Sequence, residues 1–257
     1  MKSFKILAIG NSFSVDAMEY LFRVADSAGE KNIVLGNLYI PGCPLDVHYG
    51  NMVNHSPVYQ YYKNTDGAWH SNMWQTLAHG LYDEDWDVIT IQQASGYSGK
   101  PETYSHLKEI ADYVMENKKE HTKFFWHMTW AYQGDSTHGH FAFYDKDQMK
   151  MYSCICDAVK TQVLPLGCFD GVIPCGTTIQ NMRTGSLGDT LTRDGFHLSI
   201  PVGRFAAAVT YYCAITGTPA EKVKTDLSGL IKRKTLTEIR RSVNSALANN
   251  FEVTNLL

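Results

Sequence analysis

Short apolar runs alternate with amphipathic segments along most of this chain, and that alternation constrains its fold more than any other feature. The runs are Phe4–Gly10, Ile33–Ile40, Asp87–Ile91, Lys123–Met128 and Gly171–Pro174. Between and after them lie segments with helical spacing: Val15–Ala28, Pro101–Lys119, Asp145–Leu164, Ser199–Thr216 and Leu236–Asn249. A run without polar alternation belongs to a strand buried on both faces, which is the habit of parallel sheets. Strands that alternate with helices predict a three-layer α/β/α sandwich around a central, mostly parallel, about five-stranded sheet. Residues 45–85 interrupt the pattern. There Val58–Tyr62 and Ala68–His70 flank Asn64-Thr65-Asp66-Gly67, a hairpin signal. This stretch reads as an irregular, hairpin-containing insert, a small excursion over the ligand end, with a short helix at 72–82. Neither a repeat nor a low-complexity linker breaks residues 1–257, so one domain is expected.

In an open parallel sheet, ligands bind outside the carboxyl ends of the strands. The first run ends there in Gly10-Asn11-Ser12, just before a helical segment. Ser12 therefore holds a nucleophile's place, although a serine at that point is often only a helix cap. A second stretch complements it. Asp194 and His197 are three residues apart in Arg193-Asp194-Gly195-Phe196-His197, just ahead of a long helix. A serine needs a base to take its proton, and the base needs an acceptor to orient its ring. An Asp-x-x-His turn carries both on one side of a loop.

Composition narrows the partners. The net charge of −3 gives no basic field for nucleic acid or anionic lipid. Neither a P-loop nor a GxGxxG pattern is present, so no nucleotide cofactor is expected. The six cysteines form no CxxC pair and read as reduced, mostly buried thiols. His127, His138 and His140 cluster in sequence without a zinc signature, and no metal is expected. The N-terminus enters the first strand without a signal-peptide pattern, and no run reaches the length of a membrane helix, so a cytoplasmic location is expected.

Taken together, Ile-Gly-Asn-Ser-Phe-Ser at residues 9–14 and Asp-Gly-Phe-His-Leu-Ser at residues 194–199 resemble the first and last blocks of the SGNH (GDSL-like) hydrolase superfamily. With Tyr-Ile-Pro-Gly-Cys, Val-Ile-Thr-Ile-Gln-Gln-Ala-Ser and Thr-Trp-Ala-Tyr, the chain looks like the DUF4886-type branch over about residues 4–217. The resemblance implies the flavodoxin-like form of the sandwich. It also implies a serine esterase with Ser12 as nucleophile, His197 as general base and acid, and Asp194 as orienter. Its oxyanion hole would use the backbone of Ser12 and Gly42 and a side-chain amide after the third strand. The family carries Asn at that last point. This chain has Gln92-Gln93, so Gln93 is the expected donor and Gln92 the reserve. Asn11 and Trp130 are the weaker candidates for substrate contact.

The expected substrate is a small acyl ester, acetyl above all, carried by a small molecule or a carbohydrate. That step rests on the resemblance, as related branches deacetylate sugars. A thioesterase or lipid-ester hydrolase would need a deep apolar groove, whereas the 45–85 insert is rich in Asn, His and Tyr. A carbohydrate-binding relative with weak catalysis is the remaining reading, and the altered third block is its support. The sequence does not speak to oligomeric state.

Overall fold

The computed structural model describes residues 4–257. In chain order the elements are β1 (Phe4–Gly10), α1 (Ser12–Met18), α2 (Leu21–Ala28), β2 (Ile33–Tyr39), α3 (Leu45–Val53), β3 (Tyr59–Asn64), β4 (His70–Gln75) and α4 (Leu77–Tyr82). There follow β5 (Val88–Ile91), α5 (Leu107–Asn117), β6 (Lys123–His127), α6 (Gln148–Ala158), β7 (Gly171–Ile173), α7 (Cys175–Arg183), α8 (Val202–Thr216) and α9 (Arg233–Ala248). The strands form one sheet in the order β4-β3-β2-β1-β5-β6-β7. Helices α1, α2, α7, α8 and α9 pack together, while α3 packs with α4 and α5.

The five apolar runs are the five parallel strands. β1 lies between β2 and β5, with Gly10 opposite Tyr39 and Ile9 opposite Ile91. β5 then pairs with β6, and β6 with β7. All of β5 is buried, and so is nearly all of β1, as continuous apolar runs require.

The 45–85 stretch departs from expectation. Its hairpin does not lie over the ligand end; β3 pairs antiparallel with β2, and β4 with β3, so the sheet has seven strands rather than about five. Alternation explains the difference. Tyr59 and Tyr61 are buried while Gln60 and Tyr62 are not, the period of two that a strand with one covered face shows. Asn64 accepts from the N–H of Gly67 at 2.8 Å and closes the turn. Lys63 binds Asp83 at 2.8 Å and Tyr61 donates to the same carboxylate at 2.7 Å, fastening the hairpin to the end of α4. The helix expected at 72–82 is therefore split. Its first part is the exposed edge strand β4, and Thr76 caps α4 by accepting from His79 N–H at 3.0 Å. Among the described residues, no helix is long and apolar enough to cross a membrane.

Candidate active site

The first helical segment starts earlier than its apolar spacing predicts. Asn11 is extended, and its Oδ1 accepts from Phe13 N–H at 3.0 Å, so α1 begins at Ser12 itself. That puts the Ser12 side chain at the carboxyl end of the central strand. Asn11 Oδ1 also accepts from Gln92 Nε2 at 2.9 Å, and its Nδ2 donates to Cys43 O at 3.2 Å. Asn11 is buried, and these bonds belong to the frame rather than to a ligand. The expected substrate contact through Asn11 is corrected accordingly. Its bond to Cys43 ties the Ser12 corner to the turn that holds Gly42.

That turn closes with Cys43 N–H donating to Ile40 O at 3.3 Å. Gly42 is exposed at φ +60°, a conformation that glycine adopts without strain, and a Cβ there would meet nothing within 4 Å. Its peptide is thus open to approach from solvent. The neighbouring Cys43 thiol is buried and pushed up to about 12, which keeps it protonated and inert at neutral pH.

The Asp-x-x-His turn is a closed loop. Thr192 and Leu198 bridge antiparallel, and Arg193 N–H donates to His197 O at 2.9 Å. Gly195 takes φ +89° at the tip and packs so closely on Ser136 that a Cβ would lie 2.9 Å from the Ser136 hydroxyl. This path lets Asp194 fold back on its own loop. Its Oδ1 accepts from His197 N–H at 2.7 Å and Phe196 N–H at 3.2 Å, and its Oδ2 accepts from His197 Nδ1 at 2.7 Å. Burial pushes the Asp194 carboxyl up, but the His197 ring bond and the two backbone N–H bonds outweigh it, leaving it below the usual range. A carboxylate only accepts, so the His197 proton sits on Nδ1. Nε2 is then free to accept from the Ser12 hydroxyl, 2.9 Å away.

Asp16 holds the turn at that distance, and the sequence reading missed it. It lies one helical turn after Ser12 and is fully buried. It accepts from Leu198 N–H at 2.7 Å, from Arg193 at 3.0 Å and from Arg204 at 2.8 Å. One carboxylate on the helix that begins at Ser12 thus grips the backbone just after His197 and the side chain just before Asp194. Its sequence signal was thin. An Asp four residues after a Ser on a helix shares that residue's face, yet nothing in the chain shows that two arginines 177 and 188 positions away return to it.

The expected amide donors are spent elsewhere. Gln93 is fully buried, and its Nε2 donates to Thr103 O at 2.9 Å and Thr103 Oγ1 at 3.1 Å. Its Oε1 accepts from Leu45 N–H at 3.0 Å and Ala94 N–H at 2.8 Å. This corrects Gln93 as an oxyanion donor: the carboxamide fastens the start of α3 to the loops after β5. Gln92, the reserve, fares alike. Its Nε2 is on Asn11, and its Oε1 accepts from His127 Nδ1 at 2.7 Å. Burial lowers His127 to about 3, so the ring is neutral and supports Gln92 rather than titrating near neutrality.

Trp130 is also corrected. It is fully buried and forms no wall for a ligand. Its ring stacks on Phe13 at 4.2 Å, and its Nε1–H donates to Phe196 O at 2.8 Å, so it props the His197 loop from within. His138 and His140 are ring neighbours in the segment after β6, whereas His127 is the buried last residue of that strand. Among the described residues, no three His, Cys, Asp or Glu side chains are grouped to hold a metal ion, and all six cysteines are free.

Comparison with known proteins agrees first on architecture. Solved structures of similar fold include an acetylxylan esterase, Axe2, from Geobacillus stearothermophilus, 11% identical with TM-score 0.57 over 88% of this chain and 99% of that one. Another is the acetyl xylan esterase AlAXEase, 11% identical with TM-score 0.52 over 82% and 99% of the two chains. At such identity the likeness is one of fold, an α/β structure around a mostly parallel sheet. The family follows from the sequence: residues 5–234 match the model described as "Domain of unknown function (DUF4886)", and the chain belongs to that family. A DUF4886 family protein from Bacteroides uniformis ATCC 8492 is 38% identical, with TM-score 0.95 over 99% of this chain and 98% of that one. Among curated proteins nothing matches.

Proposed function

We propose that this protein is a serine carboxylic-ester hydrolase of SGNH type that removes a small acyl group, acetyl above all, from an ester carried by a carbohydrate. The observation that carries the reading is the unbroken chain from Ser12 Oγ through His197 to Asp194, with steps of 2.9 and 2.7 Å. In the proposed reaction Ser12 Oγ attacks the ester carbonyl carbon and its proton passes to His197 Nε2. Asp194 steadies the imidazolium through Nδ1. The charge on the carbonyl oxygen meets two backbone donors, Ser12 N–H in the first turn of α1 and Gly42 N–H in the open turn after β2. His197 then protonates the leaving alkoxide. A water molecule, deprotonated by the same nitrogen, cleaves the acyl-enzyme to the free acid and restores Ser12.

With Gln92 and Gln93 engaged elsewhere, this hole has no side-chain amide from the corner after β5. One such donor is worth about 10²–10³ in kcat, so turnover is expected to be modest. The choice of a sugar acetate leans on the fold shared with acetyl xylan esterases. The test is labelling with a fluorophosphonate together with hydrolysis of p-nitrophenyl acetate. The expected result is an adduct and turnover in the native chain, with neither in Ser12→Ala. Equal labelling of the two proteins would refute the nucleophile.

A further inference from the structure

We infer that the cavity between the α1–α2 segment and the β3–β4 hairpin is a subsite for a neutral sugar ring of the ester's alcohol part; this rests on the proposed function and adds a place and a chemistry to it. The cavity has a volume of about 340 Å³. That is at the small end of ligand sites, which run from about 300 to 1,000 Å³. It suits one or two pyranose rings and not a folded partner.

Its position follows from the nucleophile's own helix. Val15 and Glu19 line it, at three and seven residues from Ser12. Positions i, i+3 and i+7 share one face, so Val15 on α1 and Glu19 at its C-cap set the cavity on the Ser12 side of that helix, beyond Ser12 and away from the sheet's carboxyl end. At about 1.5 Å of rise per residue, Val15 is about 4.5 Å and Glu19 about 10 Å along the axis. That is the distance of a sugar unit next to the one that bears the ester.

The lining has the chemistry that a sugar presents. A pyranose has an apolar C–H face and a rim of hydroxyls. Tyr20, Tyr62 and Trp69 supply partly exposed aromatic surface. Arg23 lies beside them, and among the described residues none of these four side chains bonds to protein. Asn37 gives the second, independent observation. It is 1% exposed, its Oδ1 accepts from Ser14 Oγ at 2.9 Å, and its Nδ2 has no protein partner among the described residues. Buried amides usually find partners, and this one borders the cavity. An acyl chain in the same place would strip water from Asn37 and Arg23 and return nothing, whereas ring hydroxyls accept from both.

The test uses the full chain carrying Ser12→Ala, so that binding is read without turnover. Neutral xylo-, manno-, cello- and chito-tetrasaccharides are titrated calorimetrically. At least one is expected to bind, and adding Trp69→Ala should weaken it about tenfold, the order of an aromatic contact. If the Trp69 variant fails to fold, Ala68→Gln at the exposed rim should block the same site. Binding by none of the sugars, or binding that neither substitution changes, overturns the inference. The two proposals fail separately. Sugar binding without p-nitrophenyl acetate turnover removes the esterase and leaves the subsite, and the reverse result removes only the subsite.

Discussion

Two corners of the sheet carry the polar residues that looked most chemical in this chain, and they are built to opposite ends. After β5, Gln92 and Gln93 use their carboxamides on Asn11, His127, Leu45, Ala94 and Thr103, inside the protein. At the 193–198 turn, the Asp194 and His197 side chains keep 40% and 19% exposure, and the His197 ring ends on a serine hydroxyl. Residue type does not separate the corners, since a glutamine amide donates as well as any other. What separates them is whether bonding capacity is left over once the frame is satisfied. A group whose bonds all end on buried partners inside the frame is architecture, and a group whose chain of bonds ends at a weak, reachable hydroxyl is equipped for reaction.

The sharpest way to break this contrast is at the reactive corner. Under the proposed esterase mechanism, Ser12→Ala and His197→Ala should each lower kcat by about 10⁴–10⁶, since the members of such a triad fail as a unit. Their melting temperatures should stay within about 2 °C of the native value, because each side chain is at the surface of the frame. A large loss of stability instead would place them with the glutamines. Between the extremes stands Asp16, buried yet tied to the reactive turn. Asp16→Ala leaves Arg193 without its anion and Arg204 with only its 3.5 Å pair to Glu19, and a denaturant titration should show a loss of about 3–5 kcal/mol. Activity should fall with it, because the turn loses its hold on α1.

At the architectural corner the expected effects are smaller. Gln93→Ala should cost about 1–3 kcal/mol through the N–H groups it leaves unpaired. The kcat of the folded fraction should stay within about threefold. A fall of about 10²–10³ in kcat at unchanged stability would return Gln93 to the oxyanion hole. The smallest effect concerns pH. His127 is lowered to about 3 and His48 to about 4, both by burial, from 6.5. Below about 6.5 the unfolded chain takes up protons that the folded chain refuses, so acid lowers stability and the loss grows as pH falls toward about 4. Each histidine contributes at most about 1.4 kcal/mol per pH unit. Chemical denaturation between pH 7 and 5 should therefore show a shallower slope in His127→Gln than in the native chain.

Much of this was legible beforehand, for reasons that can be named. Strands such as Phe4–Gly10 advertise themselves because a parallel strand is apolar on both faces. Ser12, Asp194 and His197, which the structure brings into one chain of hydrogen bonds, could be singled out because a serine mechanism would require three residue types at fixed places on two loops. The hairpin was seen but misplaced, since its turn signal is local while its docking on β2 depends on alternation among four residues beside a strand some twenty positions earlier. Gln93 misled because a sequence names a donor without naming the acceptor it has already met. Asp16 escaped notice for the related reason that its three partners lie between residues 193 and 204.

That last arrangement has a mechanical consequence. Ser12 and Asp16 ride on one turn of α1, and Asp16 grips the loop that carries His197. A shift of α1 against the sheet would carry Ser12 and the His197 loop together, so the motion would be common to both and would cancel from the gap between them. The Ser12–His197 distance would then answer to a few short bonds around a single carboxylate, with Trp130 as the loop's second prop, more than to the sheet.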